Sequence, residues 1–386
     1  MFFLSCIIDF SLLDSLIHIE GIMRILRYIL PMILFAACVT DFTPEVEGVD
    51  GILVVDGMIT EGESEFRLSR SVGIQDELKG VEGIANAVMN VERSDGVWFP
   101  AMYEGNGVYR IQTGTFVPDL EYRLTFSIDG VRYESSFLKP VQTVEIDSIS
   151  YQKAGWEKPV TVHVSSHARD DQSPYYRWSY RETWEVTATL FATLGYLDGE
   201  LISFDRNTSA NTYYCWGRDS SKVMLLGNTK KLSENRVAQQ KLFEIPSNDD
   251  RLSVLYHVEV SQMQLREEAY DYYQMMMDEI ERTGGLFNMV MSAGDNGNIY
   301  NVSDPEEIVI GYVEVSNVTT KSRYIPFSDN LYEGRKGQCP VWTIEIPGGS
   351  YPWVTSTTYS TWRCVDCRMH YNASKNKPSW WPTDHL

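Results

Sequence analysis

The chain reads as mainly β: an N-terminal immunoglobulin-like β-sandwich followed by a larger β-rich domain that carries one long helix. Three observations predict this. Short alternating runs separated by turn residues recur along most of the chain, clearest at Tyr122 to Ile128, where Tyr122, Leu124, Phe126 and Ile128 share one face and Asp129-Gly130 makes a two-residue hairpin turn. Only one stretch has a sustained helical period, with Leu265, Ala269, Tyr272, Met276 and Ile280 at steps of four, three, four and four. Finally, 386 residues at 43% hydrophobic and 12% aromatic suffice to bury a full core, which makes disorder a poor description.

In chain order, residues 1 to 37 form a signal segment. Arg24 and Arg27 give a short basic region, Tyr28 to Phe35 is an apolar run too short to cross a bilayer, and Ala36-Ala37-Cys38 closes it. This is the form of a lipoprotein signal, with Cys38 as the lipidated residue. Asp9, Asp14 and Glu20 suit a signal start badly, so Met23 is read as the true start. Residues 38 to 50 are then a lipid-anchored tether. Val39 is not the aspartate that retains lipoproteins in an inner membrane, and Asp41, Glu45, Glu47 and Asp50 give the tether an acidic start.

Residues 51 to 140 form the expected sandwich. Ile52 to Gly57 opens it, Phe66 and Leu68 alternate with polar residues, Ala87 to Val91 is a third run, and Gly105-Asn106-Gly107 and Pro118-Asp119 are turns. Residues 141 to 386 form the second domain. In Tyr175 to Trp184, Tyr176, Trp178 and Tyr180 lie on one strand face and Tyr175, Arg177, Ser179 and Arg181 on the other; the expected arrangement is core on the aromatic side and solvent on the arginine side. Leu252 to Val260 is a strand leading into a helix over about 261 to 283, which Ser261 and Gln264 are expected to open as a capping-box pair and Gly284-Gly285 to stop. Ile308 to Val315 and Thr319 to Pro326 return as strands, and the tail is rich in tryptophan and cysteine, as an end that is tied down would be.

Charge and cysteines limit the function classes. A formal charge of −20 opposes binding to nucleic acid or an anionic surface. Beyond the signal segment and Cys38 four cysteines remain, Cys215, Cys339, Cys364 and Cys367. An even number in an exported chain favours two disulfides, with three connectivities open; the rival is zinc, because Cys364 and Cys367 have ribbon spacing, but a second close pair is missing. His163 and His167 share no helical face, and His257 and Glu259 share a strand face without a third metal ligand. Asp295 to Asn298 and Asp304 to Glu307 lack the acidic spacing of a calcium loop and read as turns. There is no nucleophile elbow, phosphate-binding glycine loop or zincin helix, so neither catalytic residues nor a cofactor are expected.

A set of ordered motifs carries a family resemblance: the lipobox, Tyr175 to Trp184, Tyr214-Cys215-Trp216, Glu268-Ala269-Tyr270, Thr283 to Asn288, Gly297-Asn298-Ile299, Val309 to Val313, and Cys364 to Arg368 followed by Lys377 to Trp380. Together these resemble the domain-of-unknown-function 4249 lipoproteins of Bacteroidota. The resemblance implies an outer-membrane lipoprotein that accompanies a TonB-dependent transporter as a ligand-binding or lid subunit, analogous to the lids of starch-utilisation barrels. It offers no catalytic residues. The alternatives are a structural or adhesive surface lipoprotein and, third, an exported hydrolase.

Overall fold

The computed structural model describes residues 51–71, 83–197, 200–203, 211–283, 297–328, 330–334, 339–345 and 356–383. The expected signal segment, Cys38, the expected tether and the expected helix stop at Gly284-Gly285 lie outside them. In chain order the first strands are β1 (Leu53–Gly57), β2 (Gly62–Arg70), β3 (Val88–Arg93), β4 (Trp98–Gly105), β5 (Val108–Gly114), β6 (Tyr122–Ile128) and β7 (Val131–Ser135). They are followed by β8 (Ser148–Lys153), β9 (Val160–His167), β10 (Tyr175–Thr187), β11 (Leu194–Leu197), β12 (Glu200–Ser203), β13 (Tyr214–Ser220), β14 (Leu225–Asn228), β15 (Arg236–Ile245) and β16 (Leu255–Leu265). Helix α1 spans Glu267–Thr283, and β17 (Ile299–Asn301), β18 (Val309–Ile310), β19 (Thr319–Pro326), β20 (Trp342–Glu345), β21 (Ser356–Tyr359), the short helix α2 (Trp362–Val365) and β22 (Ala373–Ser374) complete the chain. The protein is mainly β.

The N-terminal module is one nine-stranded sheet in the order β17-β7-β6-β3-β4-β5-β2-β1-β18. Alternation along β6 places Tyr122, Leu124, Phe126 and Ile128 in its core, with Phe66, Leu68, Val91 and Ile111 from other strands. The β6–β7 turn is made by Asp129 and Gly130, both at positive φ (50° and 85°), which suits the twist of a tight hairpin. Because the sheet curls around that core, its two edges meet at a bridge between Gly297 and Gly311. Only glycine fits there: a Cβ on Gly297 would stand 1.8 Å from the Gly311 carbonyl oxygen, and one on Gly311 would stand 2.4 Å from the Val55 oxygen.

Strands β17 and β18 belong to the stretch that the sequence assigns to the second domain. Leu53 pairs in parallel with Val309, and Ile299 pairs with Ser135, so residues near 300 complete the sheet begun at residue 53. A boundary at residue 140 therefore does not separate two bodies, and residues 48–386 form one compact unit. The strand expected over Ile308 to Val315 is also shorter: after Ile310 the segment continues through isolated bridges, Ile59 with Val315 and Val141 with Ser316.

The rest of this unit is built mainly from two further sheets in two layers. A six-stranded sheet, β19-β16-β10-β13-β22 with β14 also on β10, faces the three-stranded sheet β15-β9-β8. Between them lie Val160, Val162 and Val164 of β9, Tyr176, Trp178, Trp184 and Val186 of β10, and Tyr256, Val258 and Val260 of β16. The aromatic face of β10 is thus core, as alternation requires.

The helix begins at Glu267, not at Ser261, because Ser261 to Leu265 finish β16. Gln262 and Gln264 are fully buried: Gln262 Oε1 accepts from Trp178 Nε1 and from Ser166 Oγ, both at 2.9 Å, and Gln264 Oε1 accepts from the Val144 amide at 2.9 Å. Their opposite neighbours, Met263 and Leu265, join Ala269, Tyr272, Tyr273 and Met276 of α1 in a third core that also takes Tyr175 and Ile310. Ala269, Tyr272 and Met276 are buried as the stripe demands; the Ile280 side chain lies outside the described residues. No helix among those residues is long and apolar enough to cross a membrane.

Candidate functional site

The face of the six-stranded sheet opposite its core is built row by row by strand register. Thr183 of β10, His257 of β16 and Tyr324 of β19 form one row, and Arg181, Glu259 and Ser322 form the next. Residues two apart on a strand point the same way about 6.8 Å apart, so His257 and Glu259 address the same space. At one end α1 covers this face, where the Arg177 guanidinium lies over the Tyr273 ring at 4.7 Å. At the other end the C-terminal tail covers it.

The tail is held there by covalent and polar ties. Cys215 of β13 is bonded to Cys367, Cys339 is bonded to Cys364, and β22 pairs with β13 through Trp216 and Ser374. Trp381 is 2% exposed and donates from Nε1 to Glu185 Oε2 at 2.7 Å, while the adjacent Trp380 is left 52% exposed. The Trp380 ring rests on His257 at 4.7 Å between centroids, and Tyr324, 39% exposed, rests on the same imidazole at 4.6 Å.

His257 itself is only 7% exposed, and no hydrogen bond reaches either ring nitrogen among the described residues. Burial holds its pKa below the ordinary histidine value, with Glu259 pulling the other way, so the ring is neutral at neutral pH. Beside it, Arg181 binds one carboxylate oxygen of Glu259, with Nε at 3.1 Å from Oε1. Arg181 Nη1 and Glu259 Oε2 have no partner among the described residues. The Arg181 side chain is 75% exposed, so the pair adds little stability and both groups face solvent. The arrangement offers two aromatic surfaces, a neutral imidazole, a donor and an acceptor. It has the means to hold a molecule and no nucleophile paired with a base.

Other candidates from the sequence fall elsewhere. Cys364 and Cys367 go to different partners, which gives the close pair to two disulfides instead of zinc. His163 is buried, and His167 is exposed with its Nδ1 hydrogen-bonded to Asp147 Oδ2 at 2.7 Å, so the two do not converge. Glu307 accepts from Tyr133 OH at 3.0 Å within a turn. Glu182 is buried in a network in which it takes Arg251 Nη1 at 2.7 Å and the Tyr256 hydroxyl, with Arg251 lying over Trp184; every member is partnered, as a structural network requires. No cluster of three or more histidine, cysteine or acidic side chains suited to a metal occurs among the described residues. Pairing of His257 with Glu259 on one face was legible in the sequence. The addition of Arg181, Tyr324 and Trp380 depends on register between distant strands and on the tail's course, and no local pattern carries either.

The family model for a domain of unknown function, DUF4249, matches residues 39–322. The chain belongs to this family. The DUF4249 match takes in Arg181, His257 and Glu259 and ends before Tyr324 and Trp380, so the aromatic wall of the site lies in the part of the chain beyond it. The Cys364 to Cys367 tail also lies beyond it. No curated protein matches the chain.

Proposed function

We propose that this DUF4249 protein is a lipid-anchored lipoprotein of a Bacteroidota outer membrane that binds a ligand on the open face of its six-stranded sheet and accompanies a TonB-dependent barrel. The observation that carries the reading is the tail. Two disulfides are the bonds of an oxidising compartment, and they fix the one segment that turns a plain sheet face into a shaped site. Export is further supported by the basic, apolar and small-residue run ending at Cys38, and the family match starts at the next residue, 39. An acidic surface with a charge of −20 suits a soluble body beside a membrane and not a nucleic-acid binder.

The anchor supplies location and the tether supplies reach. Each buried methylene of an acyl chain contributes about 0.8 kcal/mol, so two or more chains hold the protein to the bilayer. The twelve residues from Val39 to Asp50 tie the folded body to the anchor and so keep it at high effective concentration for a neighbouring barrel. Membrane fractionation of Cys38→Ala tests the anchor: the variant should leave the membrane fraction with its fold intact. Retention of the variant in that fraction contradicts the proposal.

A further inference from the structure

We infer that the site formed by Trp380, Tyr324, His257, Arg181 and Glu259 binds neutral saccharide rings. The inference rests on the reading of the protein as a ligand-binding subunit and names the class of ligand. Its first support is the aromatic pair. Trp380 and Tyr324 keep 52% and 39% of their surface open although both are packed against one buried imidazole, so they are exposed and held in place at once. A pre-ordered apolar surface of this kind binds the C–H faces of a sugar with little loss of side-chain freedom.

The second support is His257. The His257 ring is 7% exposed and no protein group hydrogen-bonds either nitrogen among the described residues, so its polar edge is left for solvent or for a ligand hydroxyl. A neutral imidazole both donates and accepts, as a hydroxyl does. One row along, Arg181 Nη1 is an open donor and Glu259 Oε2 an open acceptor, a set that matches neighbouring hydroxyls.

Charge and topology narrow the choice. The Arg181–Glu259 pair is neutral overall, so the site favours neither an anion nor a cation. Phosphate-bearing ligands also meet the field of a chain with charge −20. Strands β10 and β16, which carry Arg181, His257 and Glu259, are interior to their sheet and offer an extended peptide no backbone edge beside these polar groups; β19, which carries Tyr324, is the edge strand. A planar aromatic ligand without hydroxyl or amide groups would stack on the rings and leave the guanidinium and carboxylate unmatched.

The test uses the full exported chain purified in detergent, applied to arrayed neutral oligosaccharides of glucose, galactose, mannose and xylose units, followed by calorimetry with any saccharide captured. Wild type should capture at least one. Trp380→Ala and, separately, Arg181→Ala should each bind it about tenfold more weakly, the size of one lost ring or charged contact. Arg181 is an exposed residue whose replacement leaves the core untouched, so its loss of binding is not a loss of fold, and an unchanged thermal midpoint for both variants verifies this. Capture of no saccharide, equal capture by both variants, or binding of riboflavin in place of sugars overturns the inference. A protein that binds no saccharide yet still co-purifies with a barrel leaves the proposed function standing, whereas one that binds saccharide without membrane attachment refutes the anchor alone.

Discussion

Arg266 occupies the single position between β16 and α1, and its replacement by alanine should destabilise the protein by about 3 to 4 kcal/mol at neutral pH. Arg266 Nη1 lies 2.7 Å from Glu314 Oε1, its amide donates to Oε2 at 3.1 Å, and Nη2 donates to the Lys139 carbonyl at 2.6 Å. Glu314 is fully buried, so removing the guanidinium strands a carboxylate in the interior, a change worth about 3 to 5 kcal/mol. Protonation sets the ceiling. Keeping the carboxyl neutral at pH 7 against an unfolded value of about 4.3 costs roughly 3.7 kcal/mol, at about 1.36 kcal/mol per unit.

The sign of the pH dependence follows from the same residue. Burial already raises the Glu314 pKa above the ordinary glutamate value while Arg266 pulls it down, so loss of Arg266 raises it further. A raised folded-state value means that stability is present below the unfolded pKa and lost as pH rises through the folded one. Arg266→Ala should therefore approach wild type as pH falls from about 7 to about 5, and adding Glu314→Gln should recover at least half of the loss at neutral pH. Urea unfolding followed by tryptophan fluorescence reads this as a shift of midpoint at unchanged slope. A variant within about 1 kcal/mol of wild type, or a loss that does not vary with pH, refutes the reasoning.

Tyr272→Ala removes a ring that is 8% exposed in the third core and should lower stability by about 2 to 5 kcal/mol in the same assay; no change would put the α1 stripe in solvent. Gly297→Ala forces a side chain into a position at φ +111° against the Gly311 oxygen, and should lose more than about 1 kcal/mol together with hydrogen-exchange protection at Asn298, whereas full protection would mean that the sheet edges do not meet there. Thiol counting on unfolded, unreduced protein should find none of Cys215, Cys339, Cys364 and Cys367 free, and reduction should lower stability by about 2 to 5 kcal/mol; four free thiols would overturn the tail's anchoring.

Much of the local structure was legible because it depends on local periodicity. Tyr122 to Ile128 alternates and Asp129-Gly130 turns, and Ala269, Tyr272 and Met276 lie on one helical stripe that the structure buries. The start of α1 was misread because Gln262 and Gln264 are polar residues in buried strand positions, satisfied by Trp178 and Ser166 from other strands and by Val144 from the segment before β8. A reading based on polarity alone places such residues in a helix opening. The return of β17 and β18 to the first sheet was also hidden. Leu53 and Val309 meet across most of the chain, and neither residue's neighbours record that pairing.

For the site, composition supplied the residue types and topology supplied their meeting. His257 and Glu259 share a strand face by alternation. Trp380 reaches them because Cys215 holds Cys367, a link the cysteine spacing left open among three connectivities. Such non-local ties decide where the exposed aromatics gather, and the family match ends before the residues that supply them.

Affinity capture of the wild-type protein from native membranes in mild detergent, with identification of what comes with it, tests the central claim most directly. The account predicts a TonB-dependent outer-membrane barrel in stoichiometric amount, and its loss when Cys38 is replaced by alanine. Recovery of the wild-type protein alone, or only as assemblies of itself, would contradict the account and favour an adhesive surface role.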